Sequence, residues 1–443
     1  MEISATAREK RHARYAEWLK GEGIEFKSPE TEAKYKGSIQ RFIDAVELEK
    51  TPDRVPLFPL GTFMQTDLYD VTPKEAMYDY PKMLEVQKRF MLDYDPDFYG
   101  SPAFIGSGKV LEMLGFNMYR WPGGGGLDDK YGYQCVEGEY MEPGDYDWLI
   151  RDPSDYFIRK YIPRTFNKLA PLAALSPFTN VWEIVTVSPQ MIPFGIPDVQ
   201  EALKIMVEAG NEAMNWIGQV GAFEADIRAH GYPTGIGGAC KAPYDMLADT
   251  LRGTRGIMMD LYRQPDNVIK AMERFVPICI EQGVSMADQA KNPIVFMPLH
   301  KGADPFMSDE QFKNFYWPTF KTVMEGLIEE GCVPFLFCEG GYNSRLEYLN
   351  ELPKGHCIWL FDTTDMAKAK EIVGGTTCIA GNVPISKMIT GTPEDVKEIC
   401  KKLIDTAGKG GGYIMGMGCS ADEAKADTMH AMIDFTREYG VYR

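Results

Sequence analysis

The chain has 443 residues, of which 44% are hydrophobic and 25% are charged, a composition typical of a globular protein. No segment approaches the roughly 20 consecutive apolar residues of a membrane span, and the charged amino terminus lacks the apolar run of a signal peptide, so we expect a cytoplasmic protein without a membrane partner. The formal net charge of −17 disfavours nucleic acid as a partner.

The first ~50 residues are polar and place apolar side chains at helical spacing, as at Tyr15, Trp18 and Leu19. They predict a helical extension over residues 1–50. After the turn signal at 51–53, the apolar run 54–60 predicts a first strand. A helix over 73–94 and a second strand over 97–104 follow, which begins a β, α, β order.

Between residues 121 and 153 the composition changes to glycine, acidic and aromatic residues. The four glycines Gly123–Gly126 are not followed by Gly-Lys-Ser/Thr, and Asp128 and Asp129 carry negative charge, so a phosphate-binding loop is disfavoured. We interpret this stretch as a long loop that leaves the main fold and could serve as a lid. Amphipathic helices over 160–230, such as Val199–Gly218, extend it to an insertion at about 120–230.

From residue 233 onwards, strands and helices alternate regularly. With the two early strands the number of strands comes close to eight, which predicts an α/β fold of the (β/α)8 TIM-barrel class over residues 51–443. One large domain with additions and two domains are both compatible with the length. The later strands are predicted at 233–240, 293–299, 333–338, 357–361, 377–380 and 412–415, and the helices between them at 266–282, 308–330, 366–372, 392–407 and 421–439.

In such a barrel the residues at the carboxyl ends of the strands face the active site. These positions carry a histidine, two cysteines and several carboxylates, which are the ligands that zinc accepts. Two alternatives stay open: Asp362 could cap the following helix, and His300 could simply bond within its own loop. Six other cysteines in apolar segments are assigned to the core, namely Cys240, Cys279, Cys332, Cys357, Cys378 and Cys400. The strand-end set comprises His300, Cys338, Glu339, Asp362, Asp365, Asn382 and Cys419.

Several stretches between Arg54 and the carboxyl terminus resemble the uroporphyrinogen decarboxylase superfamily, and within it the corrinoid-dependent methyltransferases. The family fold is a (β/α)8 barrel. The most specific stretches are Leu251-Arg-Gly-Thr-Arg-Gly256, Asp260-Leu-Tyr-Arg-Gln-Pro265, Met307-Ser-Asp-Glu-Gln-Phe312, Phe315-Tyr-Trp-Pro318, Ala380-Gly-Asn-Val-Pro384 and Gly416-Met-Gly-Cys419.

The resemblance favours methyl transfer over decarboxylation. Segments 57–63 and 99–102 lack the arginine-rich loop and the essential aspartate of true uroporphyrinogen decarboxylases. The thiol-methylating branch holds zinc by a His-x-Cys and a later Cys. Here Cys338 and Cys419 match the two cysteines, but Leu336 stands at the histidine position, so His300 or Glu339 would have to complete the zinc site.

Segment 134–141 and the acid-rich Cys338-Glu-Gly-Gly341 resemble the first methyltransferases of anaerobic O-demethylase systems. These enzymes move a methyl group from a methoxylated aromatic compound to the Co(I) corrinoid of a separate protein. The resemblance thus implies a small-molecule methyl donor, a corrinoid partner and zinc, and we expect Asp362 and Glu339, at their strand ends, to be catalytic residues. Phe63, Tyr99 and Asn382 are expected to bind the substrate.

Two other function classes remain. A decarboxylase-like lyase acting on a smaller acid would rely on Asp362 and on nearby cations such as Lys301 or Arg345. A corrinoid-binding protein is disfavoured because the chain carries no Asp-x-His-x-x-Gly signature. The oligomeric state stays open, although members of the family are commonly homodimers.

Overall fold

The computed structural model describes residues 4–443, and a parallel sheet forms its centre. An antiparallel hairpin, β1 (Tyr119–Arg120) with β2 (Gln134–Cys135), precedes this sheet in the chain. The sheet contains six strands in sequential order. They are β3 (Gly238–Ala239), β4 (Ile294–Leu299), β5 (Val333–Cys338), β6 (Ile358–Phe361), β7 (Cys378–Ala380) and β8 (Tyr413–Ile414).

Two irregular segments extend this sheet toward a ring. Leu57 forms a parallel bridge with Met415 beside β8, and Tyr99 forms one with Thr234 before β3. The two segments also meet each other, because the backbone N–H of Asp97 donates to the carbonyl of Leu57 over 3.2 Å. The predicted TIM-barrel-like fold is confirmed, although the first two predicted strands are single bridges rather than ladders.

Side chains of the strands alternate between two separate hydrophobic cores. Phe296, Phe335 and Phe337 belong to the inner core, which lies inside the ring. Leu336 and Cys338 belong to the outer core, which lies between the strands and the surrounding helices. This period of two follows from the pleat of a β-strand. This alternation determines which residues at the strand ends face the mouth of the ring, the opening at the carboxyl ends of the strands.

The amino-terminal helices Ala5–Lys20 and Pro29–Glu47 close the other end of the ring. Trp18 and Phe42 pack against Phe98, with ring centroids 6.0 and 4.8 Å apart. Both side chains belong to the same core as the inward-facing phenylalanines of the strands. The interior is therefore sealed at its amino end, and access is left to the carboxyl end.

The helix predicted over 73–94 is in fact two helices, Pro73–Tyr78 and Tyr80–Tyr94. Asp79 accepts a hydrogen bond from the N–H of Lys82 and so caps the second helix. Pro81 then occupies its first turn, where a missing N–H costs nothing. The other helices of eight or more residues are Ile184–Met191, Pro197–Ala229, Gly253–Arg263, Pro265–Ala290, Trp317–Glu329, Met366–Val373, Pro393–Thr406 and Ala426–Tyr439.

Shorter turns connect these elements. Across residues 4–443, no helix is both long enough and apolar enough to cross a membrane. The short α-helices are Met64–Asp67, Gly108–Leu114, Tyr146–Arg151, Pro153–Tyr156, Ile162–Thr165, Pro243–Asp245, Asp309–Gln311, Leu346–Leu349 and Ile385–Thr390. Turns of π-helix cover Phe157–Tyr161, Met246–Leu251 and Phe312–Tyr316, and 3₁₀ turns cover Pro102–Ile105, Pro143–Asp145, Asn167–Ala174, Phe178–Asn180 and Ile192–Gly195.

The six cysteines assigned to the core are all buried, as predicted. Burial raises the pKa of each of their thiols. They are therefore neutral core side chains at physiological pH.

Candidate active site at the mouth of the ring

Three polar side chains follow three neighbouring strands at the carboxyl end of the sheet. His300 follows β4, Glu339 follows β5 and Asp362 follows β6. The last residue of each of these strands packs in the outer core, so the alternation turns the next residue toward the mouth. An imidazole and two carboxylates thus lie at the mouth, at strand ends that the sequence analysis singled out.

His300 is paired with Asp249, which lies on the turn Met246–Leu251 beyond β3. Nδ1 of His300 lies 2.6 Å from Oδ2 of Asp249, and Nε2 lies 3.6 Å from Oε1 of Glu339. Nζ of Lys241 donates to the same Asp249 oxygen over 2.6 Å. The carboxylate thereby fixes Nδ1–H as a donor and leaves Nε2 free for chemistry.

A second carboxylate, Asp245, holds the backbone of this loop. Its oxygens accept hydrogen bonds from the N–H groups of His300 (3.3 Å) and Lys301 (3.0 Å) and from the hydroxyl of Tyr316 (2.7 Å). Burial and the nearby charge of Asp249 raise the pKa of Asp245 to about 6. Asp245 is thus a positioning residue behind His300.

The surroundings favour the charged form of both partners of the pair. Burial acts to raise the pKa of Asp249, but the hydrogen bond from His300 and the charge of Lys241 overcome it and hold that pKa at about 2. Burial acts to lower the pKa of His300, but the hydrogen bond and charge of Asp249 overcome it and raise that pKa above its ordinary value of 6.5. The pairing therefore favours an imidazolium beside a carboxylate more strongly than solvent would.

The substitution Asp249→Asn is expected to lower the pKa of His300, because burial is then opposed only by the charges of Asp245 and Glu339. In the wild-type protein, protonated His300 stabilises the fold below about pH 6.5, and this contribution disappears as the pH rises through the folded-state pKa. An NMR titration of the imidazole measures the shift. Glu339→Gln should lower the pKa less, and an unchanged pKa in Asp249→Asn would contradict the pairing.

Asp362 and Asn382 lie on the other side of the mouth. Oδ2 of Asp362 accepts from the N–H of Gly340 over 3.0 Å, and burial raises the pKa of this carboxyl group. The cap of the following helix is Asp365, whose side chain accepts from two N–H groups of the first turn, so Asp362 does not cap it. Asn382 donates to the carbonyls of Asp362 and Thr364, over 2.8 Å each, and holds this loop.

The structure does not bring Cys338 and Cys419 together on one face of the sheet. Cys338 is fully buried in the outer core, where burial raises the pKa of its thiol well above the usual range. Cys419 is half-buried against the inner core, and burial, with the charges of Asp362 and Glu339, raises its pKa to about 12. Within residues 4–443, no three His, Cys, Asp or Glu side chains are grouped closely enough to hold a metal ion. Zinc stays a prediction.

The two aromatic residues predicted to bind substrate lie in different places. Phe63 packs against Tyr133, with ring centroids 5.5 Å apart, in a cluster that also contains Trp121. Tyr99 packs against Phe223 at 6.0 Å in the outer core. Phe63 is therefore close to the hairpin side of the mouth, whereas Tyr99 faces the surrounding helices.

The hairpin β1–β2 approaches the mouth. Besides burial, the charges of Asp249 and Glu339 raise the pKa of Tyr119 on β1. Burial raises the pKa of Cys135 on β2, and the charges of Asp249, Lys241 and Lys301 also act on it. The excursion interpreted as a lid therefore places one residue from each of its strands near the charged groups of the mouth.

Sequence reasoning missed Lys241, Asp245 and Asp249. Lys241 directly follows a predicted strand that ended at Cys240, so the strand-end rule could have found it. The two aspartates lie within helical turns, where an acidic residue carries no distinguishing pattern. Only the fold brings them beneath His300.

The model of the uroporphyrinogen decarboxylase (URO-D) family matches residues 227–439, a region that contains β3 to β8. No curated protein sequence matches the chain. Among solved structures, a methyltransferase from Methanosarcina mazei has a similar fold, with a TM-score of 0.56 and 13% sequence identity over 92% of this chain and 98% of that chain. The family match covers just under half of the chain, and the structural likeness, at 13% identity, supports a TIM-barrel-like fold.

Proposed function

We propose that the protein is a methyltransferase that moves a methyl group from a methoxylated aromatic donor to the Co(I) corrinoid of a partner protein. The observation that carries the proposal is the Asp249–His300 pair at the mouth, with Nε2 of His300 directed to Glu339. The URO-D family match and the likeness to a methyltransferase support methyl transfer as the type of reaction.

An aryl methyl ether resists demethylation because phenolate is a poor leaving group. An acid placed at the ether oxygen stabilises the charge that develops as the carbon–oxygen bond breaks. Protonated His300 supplies this proton from Nε2. The bonding electrons stay on oxygen and take up the proton to give the phenol, while the electron pair of Co(I) forms the new bond to the methyl group.

The surrounding groups serve the same step. Asp249 stabilises the imidazolium before transfer, and Glu339, 3.6 Å from Nε2, can carry a proton from solvent back to His300. Asp362, with its raised pKa, orients the donor as a hydrogen-bonding group.

Zinc, expected from the resemblance, would be an alternative to proton donation by His300, because an Nε2 that binds zinc carries no proton; the bound ion would then polarise the ether oxygen. Nε2 of His300 and Oε1 of Glu339 are 3.6 Å apart, close to the ~3.4 Å expected for two zinc ligands with bonds of about 2.1 Å. Cys419, whose pKa the charge of Glu339 helps to raise, is the third candidate, but within residues 4–443 the three side chains would have to move closer together to hold an ion. The thiol of Cys338 faces the outer core, so Cys338 is not included in this set of zinc ligands.

Metal analysis of the purified variants tests this ligand set. Zinc content is expected to fall in His300→Gln and Cys419→Ala and to stay unchanged in Cys338→Ala, because that side chain is directed away from the mouth. Loss of zinc in Cys338→Ala with an unchanged fold would reject the set. A wild-type protein free of zinc that still transfers methyl groups would reject the metal altogether.

A lyase acting on a carboxylated substrate is the second candidate, because Lys241 and Lys301 lie 2.6 and 3.8 Å from Asp249 and could bind a carboxylate. Incubation with a methoxylated aromatic compound and a Co(I) corrinoid protein should release the phenol and methylate the corrinoid. Carbon dioxide release from a carboxylated aromatic compound, without corrinoid, would instead support the lyase.

A further inference from the structure

The ring of strands is incomplete between the segment around Tyr99 and β3. The two pair only at Tyr99, whose N–H donates to the carbonyl of Pro233 over 3.4 Å and whose carbonyl accepts from the N–H of Gly235 over 3.0 Å. Pro102 then starts a 3₁₀ turn, and within residues 4–443 no further backbone hydrogen bond joins this segment to β3. One edge of β3 is therefore left without a neighbouring strand.

A cavity of about 660 Å³ lies at this gap, lined by Ser101 and Phe104 on one side and by Gly237 and Ala239 on the other. The charged groups of the mouth are not among the described residues that line this side cavity, so it is a separate space. Its volume lies in the range of small-molecule sites, about 300–1,000 Å³. Its wall includes three aromatic and three aliphatic side chains, namely Trp18, Tyr35, Phe104, Val220, Ile236 and Met286.

Five charged side chains also line the side cavity, and four of them have partners. Nζ of Lys291 lies 3.6 Å from a carboxylate oxygen of Glu17 and 3.7 Å from one of Glu22. Glu224 accepts a hydrogen bond from the hydroxyl of Ser101 over 2.6 Å. The fifth charge is an arginine of the long helix Pro197–Ala229.

This fifth charged residue, Arg228, is half-buried and has no acidic partner. Its Nε donates to the backbone carbonyl of Glu224 over 3.1 Å, and within residues 4–443 no carboxylate oxygen lies within 4 Å of its guanidinium group. A guanidinium group binds a carboxylate through two parallel hydrogen bonds. The side cavity therefore presents a cation that is available to an anionic ligand.

A second hydrogen-bond donor without a partner belongs to the same region. The hydroxyl of Tyr99 is buried, and no acceptor for it is found among residues 4–443. Burial raises the pKa of Tyr99 well above its usual range, and the charges of Glu224 and Arg228 also act on it, so the phenol lies among residues of the cavity wall. Buried polar groups in folded proteins are normally satisfied, so this hydroxyl indicates a missing acceptor.

We propose that the side cavity is a second small-molecule site, separate from the mouth, that binds an aromatic carboxylate. The guanidinium group of Arg228 pairs with the carboxylate, and the hydroxyl of Tyr99 donates a further hydrogen bond to it. The aromatic ring of the ligand packs against Trp18, Tyr35 and Phe104, because flat rings gain from stacked and edge-to-face contacts. This assignment does not depend on methyl transfer at the mouth.

Calorimetric titration of the full-length protein with naphthoate, a two-ring carboxylate, tests the proposal. Arg228→Gln is expected to weaken binding roughly 10- to 100-fold, the effect of losing a hydrogen bond to a charged group. Naphthamide, which has the same shape without the charge, should bind the wild-type protein with a similar loss. The matched control is Arg263→Gln, at an exposed arginine outside the side cavity, which should keep the wild-type affinity.

A pair of glycine variants tests the location. Gly221 lines the side cavity and Gly210 of the same helix does not, and a Cβ atom added at either would meet no atom within 4 Å. Both Gly221→Leu and Gly210→Leu should therefore fold, which circular dichroism checks. Only Gly221→Leu should weaken naphthoate binding, because its side chain occupies part of the cavity.

A wild-type protein that does not bind naphthoate at millimolar concentrations would overturn the proposal. Unchanged affinity in Arg228→Gln, or naphthamide binding as tight as that of naphthoate, would overturn the recognition of a carboxylate by Arg228. Unchanged affinity in Gly221→Leu, or an equal loss in Arg263→Gln, would reject the side cavity as the location. These binding measurements need no corrinoid and no turnover, so their failure is distinguishable from a failure of methyl transfer.

Discussion

Replacement of His300 by glutamine is expected to lower the rate of methyl transfer by about 100- to 10,000-fold, the range that general acid catalysis contributes. Glutamine retains a hydrogen-bond donor of similar reach but cannot release a proton to the leaving phenolate. Asp249 would remain in place, held by Lys241 over 2.6 Å. The measurement is phenol release from a methoxylated donor in the presence of the Co(I) corrinoid protein.

The matched control is His430→Gln, at a half-exposed histidine of the last helix. This variant should keep the wild-type rate. Asp249→Asn should lose part of the activity, and the loss should grow toward alkaline pH, because the pKa of His300 then falls and the proton donor is depleted. Equal rates in wild type and His300→Gln would remove His300 from the mechanism.

Asp97→Asn is expected to lower the free energy of unfolding by about 3–5 kcal/mol, the typical cost of removing one partner from a buried ion pair. Asp97 is only 2% exposed and accepts hydrogen bonds from Arg41 (2.6 Å) and Arg54 (2.7 and 2.8 Å). It also accepts from the N–H of Leu57 over 2.8 Å. The carboxylate thereby joins the two irregular segments that complete the ring.

Urea unfolding measures this loss, with Asp53→Asn as the control. Asp53 pairs with the same Arg41, but its side chain is 66% exposed, so the expected change is about 1 kcal/mol or less. Similar losses for the two variants would contradict a special role of Asp97 in closing the ring.

The later strands could be predicted from sequence because each is a short apolar run followed by an amphipathic helix. The first two strands were harder to predict. Pro56 and Pro59 remove backbone donors from the segment 54–60, and Pro102 starts a 3₁₀ turn inside the predicted second strand. Their contacts to neighbouring strands are therefore single bridges, which local sequence patterns cannot distinguish from ladders.

For the site, the rule that strand ends face the mouth found His300, Glu339 and Asp362. The same rule placed Cys338 there, although alternation gives Leu336 and Cys338 one face of β5 and Phe337 and Glu339 the other. Applying the two-residue period to the buried strand would have separated Cys338 from Glu339. Asp249 required the tertiary structure, because nothing in a helical turn indicates which strand end it will meet.

The most direct test of the proton-donor role compares wild type and His300→Gln on a series of methoxylated aromatic donors whose phenol products differ in pKa. If His300 protonates the leaving oxygen, the rate defect of the variant should be largest for the least acidic phenol and should shrink steadily as the phenol becomes more acidic. A defect of the same size for every donor would contradict proton donation by His300.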